Sequence, residues 1–142
     1  MVDPARVRRL LEALSENRTR LSQLASMPVD RYVEQQAFAG RYLVQASAQV
    51  CIDLANHLIS SEGWRVPRDF RDAFTVLEER GILDARLAER MRALVGLRNR
   101  LVHLYAEVDD SRVHRALSEG LSDLDAFARS VAAFAEGQSP QH

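Results

Sequence analysis

Residues 91–105 read Met91-Arg-Ala-Leu-Val-Gly-Leu-Arg-Asn-Arg-Leu-Val-His-Leu-Tyr105. Leu94, Leu97, Leu101, Leu104 and Val108 recur alternately three and four positions apart, the spacing of one face of a helix. At about 100° per residue they cluster on an arc of about 80° that faces a core. Arg98, Asn99, His103 and Tyr105 share a different arc, about 160° wide, which gathers the reactive side chains on a face suited to a ligand or a partner.

Outward from this segment the helical period continues and no alternating strand pattern of any length appears, which predicts an all-α chain. Asp3-Pro4 opens a first helix as N-cap and first-turn proline, and Val7, Leu10, Leu14, Leu21 and Leu24 form its seam. A long second helix is expected from about Asp30 to Ser60, closing at Glu62-Gly63. It carries Gln45, Ser47, Gln49, Asp53, Asn56 and His57 among apolar residues, more polar groups than a purely structural helix needs. Asp53 reads either as a carboxylate that orients Arg98 or His103, or as a salt bridge inside the bundle.

Trp64 reads as a packing anchor in a short connection, and a third helix follows from Asp69 to Arg80, stopped by Gly81. The motif helix starts near Asp84, and Gly96 inside it points to a close backbone approach. Asp109-Asp110-Ser111 marks a break before a last helix from Ser111 to Phe134. The expected fold is thus an up-and-down bundle of five helices, one domain over residues 1–137 with a flexible tail over 138–142.

The chemistry that fits the motif is phosphodiester cleavage without a metal. A neutral imidazole takes a proton from a ribose 2′-hydroxyl near pH 7, which makes His103 the candidate general base. Arg98 presents a planar fork of donors to phosphate and stays cationic as charge builds at phosphorus, which makes it the candidate electrostatic stabiliser. Asn99, one turn before His103, and Tyr105 are assigned supporting and substrate-binding roles. Cleavage also needs an acid for the leaving oxygen, and no second histidine lies close in sequence. Arg98 and His103 are about 140° apart on an ideal helix, awkward for one compact site but natural at a groove between two copies, so a homodimer with a composite site is expected.

The remaining composition narrows the class. The lone Cys51 lies between Val50 and Ile52 and reads as a buried thiol without chemistry. His57, His114 and His142 lack neighbours at metal-ligand spacing, so neither a metal nor a cofactor is expected. The formal net charge of −1 argues against a protein that coats nucleic acid along its whole surface, while leaving room for a local basic patch. No apolar run approaches the roughly 20 residues that span a bilayer, and no secretion signal is visible, so a cytoplasmic protein without a membrane anchor is expected.

The motif stretch, with Val108-Asp109 behind it, resembles the HepT-like (DUF86) branch of the HEPN ribonuclease toxins. That family's signature is Arg, four residues, His, one residue, Tyr, with Asn commonly after the Arg, and here it falls on Arg98, Asn99, His103 and Tyr105. The resemblance extends through residues 40–60 and through Pro67 to Leu83 with Gly81-Ile82. It implies the toxin half of a type VII-like HEPN/MNT module, an all-helical homodimeric endoribonuclease that acts on RNA without metal. The implied partner is a minimal nucleotidyltransferase antitoxin that silences the toxin by AMPylation of the motif tyrosine, Tyr105. A bulky anionic adduct there would occupy the phosphate site beside Arg98 and repel RNA. The competing class is a noncatalytic helical bundle that binds RNA, nucleotide or a protein partner.

Overall fold

The computed structural model describes residues 1–103 and 107–137, and the regular secondary structure among them is entirely helical. Leu104 and Tyr105 of the motif stretch, and the tail expected over 138–142, lie outside the described residues. The elements are α1 (Pro4–Ala25), α2 (Val29–Gln35), α3 (Ala37–Glu62), α4 (Phe70–Glu79), α5 (Ala85–His103) and α6 (Asp110–Gly137).

Aspartates start four of these helices. Asp3 Oδ1 accepts from the backbone N–H groups of Ala5 and Arg6 (3.0 and 3.3 Å), with Pro4 at the first helical position. Asp69 caps α4 through the Asp72 N–H (2.8 Å), and Asp84 caps α5 through the Leu87 N–H (2.8 Å). Asp109 accepts from Ser111 and Arg112 at the head of α6 (3.1 and 3.3 Å). Each carboxylate satisfies donors that the first helical turn leaves without partners and sits at the positive end of the dipole. Gly63 ends α3 and Gly81 follows α4, both at positive φ (68° and 76°), where a side chain would be strained.

The helix count corrects the expected five to six, because the long second helix is divided at Gln36. That residue has φ −130° and ψ 12°, outside the α region, and separates α2 from α3. The bend folds α2 back so that Tyr32 is wholly buried, its ring against Gly40 on one side and 4.7 Å from the His114 ring of α6 on the other. Glu34-Gln35-Gln36 contains neither Gly nor Pro, so the break is imposed by the burial of Tyr32.

The core is one contiguous cluster to which all six helices contribute. α1 packs along α3 and α6, and α4 lies against α5 and α3. Phe74 of α4 meets Phe127 of α6 edge-on at 5.7 Å, and both are fully buried. Trp64 anchors the α3–α4 connection against Phe134 (5.5 Å), as its sequence position suggests. Bidentate Arg18–Asp125 and Arg41–Asp110 pairs tie α1 and α3 to α6, and Arg90–Asp123 ties α5 to it. No helix is long and apolar enough to cross a membrane among the described residues.

Candidate functional site

Helix α5 carries Arg98, Asn99 and His103 at its C-terminal end, but its packed face is rotated from the expected leucine stripe. The residues it buries are Leu87, Ala88, Met91, Val95, Gly96 and Leu101, while Leu94 and Leu97 are half-buried beside a cleft against α6. Arg98 therefore lies closer to the packed face than an outward-facing arc would put it. The residue is half-buried, and its charged head meets side chains of α3 and α4.

The partners of that head define the site's electrostatics. Arg98 Nη1 donates to Asn99 Oδ1 (3.1 Å) and Nη2 donates to Gln49 Oε1 of α3 (3.2 Å). Gln49 Nε2 in turn donates to Asp53 Oδ1 (2.9 Å). The Arg98 guanidinium carbon stands 5.3 Å from the centre of the Phe70 ring, at the start of α4. Three elements thus fix its position, and every oxygen it meets belongs to a neutral amide. Among the described residues the ion-paired arginines are Arg18, Arg41, Arg65, Arg68, Arg90 and Arg92; Arg98 has no carboxylate. Its orientation is set while its charge is left uncompensated, as a phosphate-binding cation requires.

Asp53 sits one step behind, held by Gln49 and not in the intrabundle salt bridge that competed for it. The carboxylate fixes which way the Gln49 amide faces, so it acts on Arg98 through another residue. Gln49 and Phe70 are the members that sequence spacing alone does not reach, because α3 and α4 meet Arg98 only through tertiary packing. The one available signal was the excess of polar residues in α3.

His103 is the last residue of α5 and is exposed. The other described histidines are packed within the bundle. His57 Nε2 accepts from the Asp3 N–H (3.1 Å), a bond that needs the neutral ring, and burial together with the nearby Arg6 lowers its pKa. The His114 ring packs tilted at 47° against Tyr32. Cys51 is fully buried and burial pushes its thiol far above the ordinary range, consistent with an inert packing role. No group of three or more His, Cys, Asp or Glu side chains suited to a metal occurs among the described residues. Arg98 is half-buried between α3, α4 and α5, whereas His103 is exposed at the end of α5.

An all-helical bundle that displays an uncompensated arginine and an exposed histidine on one helix end defines a class, and comparison with known proteins gives the family. Residues 10–131 match the Ribonuclease HepT-like family, and the chain belongs to it. It is 30% identical over 134 residues to the tRNA nuclease HepT of Aphanizomenon flos-aquae, covering 92% of this chain and 90% of that protein. It is 32% identical over 84 residues to the mRNA nuclease HepT of Shewanella oneidensis, an alignment covering 59% of this chain and only 63% of that protein. In three dimensions it superposes with a TM-score of 0.81, at 23% identity, on a solved structure described as the tri-AMPylated Shewanella oneidensis HEPN toxin in complex with MNT antitoxin; 90% of this chain and 97% of that one are covered.

Proposed function

We propose that this chain is a metal-independent endoribonuclease and the toxin of a toxin–antitoxin pair. The observation that carries the proposal is the Arg98 guanidinium, fixed by Asn99 and Gln49 yet without a carboxylate, five residues before an exposed histidine. In the proposed reaction His103 removes the proton of a ribose 2′-hydroxyl, and that oxygen attacks the adjacent phosphorus. The bond from phosphorus to the 5′-oxygen breaks, and the departing oxygen takes a proton from an acid. The products are a 2′,3′-cyclic phosphate and a 5′-hydroxyl. Arg98 stabilises the negative charge that grows on the phosphoryl oxygens. The exposure of His103, and the wide angle between it and Arg98 on one helix, favour a site completed by a second copy of the chain, which would also supply the acid.

The two HepT relatives named as nucleases support RNA as substrate, and the AMPylated neighbour bound to an MNT antitoxin supports a nucleotidyltransferase partner. Such a partner would attach AMP from ATP to the Tyr105 phenol oxygen with loss of pyrophosphate, setting an anion in the field of Arg98. Incubation with the partner and labelled ATP is expected to label the native chain and leave Tyr105→Phe unlabelled. Equal labelling of both would remove Tyr105 as the acceptor. An RNA substrate also fits a cytoplasmic site of action.

Cleavage of total cellular RNA by the purified chain in EDTA tests the activity. Intact RNA, retained by the protein, would favour the noncatalytic binding module instead. A sharper probe of Arg98 is Gln49→Glu, which sets a carboxylate where the amide oxygen now stands 3.2 Å from the guanidinium. The new ion pair competes with phosphate for the same donors, so cleavage is expected to fall about 10- to 100-fold, while the lost bond to Asp53 and the carboxylate pair created there lower thermal stability modestly. Unchanged activity in that variant would contradict the assigned role of Arg98.

A further inference from the structure

Helix α4 contains one arginine, Arg71, next to the Phe70 ring that supports Arg98. The carboxylates around it are all engaged elsewhere. Asp72 is gripped by Arg65 (2.8 and 3.0 Å) and by the Arg68 backbone N–H (2.9 Å), and these bonds hold it far below the usual carboxylate range. Glu79 binds Arg65 (2.9 Å), Glu78 binds Arg92 (3.2 Å), and Asp69 caps the helix. Among the described residues Arg71 makes neither an ion pair nor a hydrogen bond, and it is exposed.

Its guanidinium nevertheless has a seat. A Cβ on Gly96 of α5 would lie 2.6 Å from Arg71 Nη2, so the side chain crosses the helix where a side chain is missing. Glycine in a helix interior costs about 1 kcal/mol relative to alanine, and Gly96 stands one turn before Asn99 and Arg100 and two turns before His103. The neighbour found at this glycine is thus the side chain of an arginine of the same chain, not the backbone approach expected there.

We propose that Arg71, seated on Gly96, is a second phosphate subsite that holds the nucleotide flanking the scissile bond. The proposal rests on the reading of Arg98 as the cation at the scissile phosphate. Two guanidiniums without carboxylate partners among the described residues, Arg98 against Phe70 and the next residue Arg71 against Gly96, both lie where α4 meets the motif end of α5 and suit consecutive phosphates of a single strand, whose backbone is recognised through its charge.

Two kinds of RNA separate the subsite from the chemistry. A dinucleoside monophosphate has only the scissile phosphate, whereas a short oligonucleotide has flanking ones. With Arg71→Ala, cleavage of the dinucleotide is expected to stay within about twofold of native, while KM for the oligonucleotide rises about tenfold at unchanged kcat. Binding of a noncleavable 2′-O-methyl oligonucleotide should weaken by a similar factor and lose about 0.7 from its salt slope, the share of one single-strand phosphate contact. Gly96→Ala should weaken the same binding without loss of thermal stability, since it moves only the flexible end of Arg71 and improves helix propensity. Equal losses on both substrates, an unchanged salt slope, or no binding of the oligonucleotide by the native chain would each overturn the subsite. If the native chain cut neither RNA while the binding differences held, the ribonuclease reading would fall and the subsite would stand.

Discussion

Replacing His103 with Ala is expected to lower the cleavage rate by about 10²- to 10⁴-fold, the usual contribution of a positioned general base. His103 is exposed at the end of α5, outside the core, so its loss should leave the thermal midpoint close to native. Arg98→Ala should cost about 10²- to 10³-fold, the typical effect of removing one group that stabilises transition-state charge. Arg98→Lys is not expected to restore activity, because a point charge cannot keep the two bonds to Asn99 and Gln49 and still present a fork to phosphate. The pH dependence separates the two roles. Loss of the base should remove the acidic limb of the rate profile, whereas loss of Arg98 should lower the whole profile. Activity within tenfold of native in His103→Ala would show that another group removes the proton.

The largest effect on stability is expected at Gly40, which plays no part in the chemistry. A Cβ there would overlap the Tyr32 hydroxyl and crowd the rest of the ring (2.6 Å to Cζ), and the fully buried ring has His114 on its far side. Gly40→Ala gains about 1 kcal/mol in helix propensity, but overpacking of a fixed aromatic costs more, so a net loss of about 1–3 kcal/mol is expected. For a chain of this size that corresponds to roughly 4–10 °C in thermal midpoint. Tyr32→Phe should recover part of the loss, since the hydroxyl is buried without a partner and its removal leaves no orphaned bond. Burial and the charge of Asp110 push the Tyr32 phenol up to about 12. Because the folded value is above the unfolded one near 10, the associated stability is complete below about pH 10 and is lost as pH rises toward 12. Chemical denaturation of native and Tyr32→Phe chains across that interval should show a steeper loss in the native chain, because the buried Cys51 thiol adds the same slope to both.

The legible features and the hidden ones divide along a physical line. Asp3, Asp69, Asp84 and Asp109 announced helix starts, and Gly63 and Gly81 announced stops, because caps and left-handed turns depend on a few adjacent residues. The placement of Arg98, Asn99 and His103 on one helix was likewise readable, because helical period is a local property. The break at Gln36 was not, since the cause is a buried tyrosine packed against a glycine eight residues away and a histidine of the last helix. The leucine stripe meets the core, with Leu101 buried and Leu94, Leu97 and Val108 packed partly against it, but the centre of the packed face lies to one side for a related reason. Leu94 and Leu97 carry the right period, but the helix turns Met91 and Val95 inward, and the half-buried Arg98 shares the packed side. Gln49 and Asp53 stood in the sequence only as polar residues on an apolar helix. Their chain of bonds to Arg98, across 49 positions of sequence, exists because α3 and α5 are neighbours in the bundle.

The most direct measurement takes a defined oligoribonucleotide in EDTA, cleaved by the native chain and by His103→Ala, and identifies the fragment ends by mass. Attack by the ribose 2′-oxygen predicts a 2′,3′-cyclic phosphate and a 5′-hydroxyl from the native chain, with neither appearing above background in the variant. Ends bearing 3′-hydroxyl and 5′-phosphate would mean that water or a metal-bound nucleophile attacks phosphorus, and equal cyclic-phosphate yields from both chains would mean that His103 is not the base.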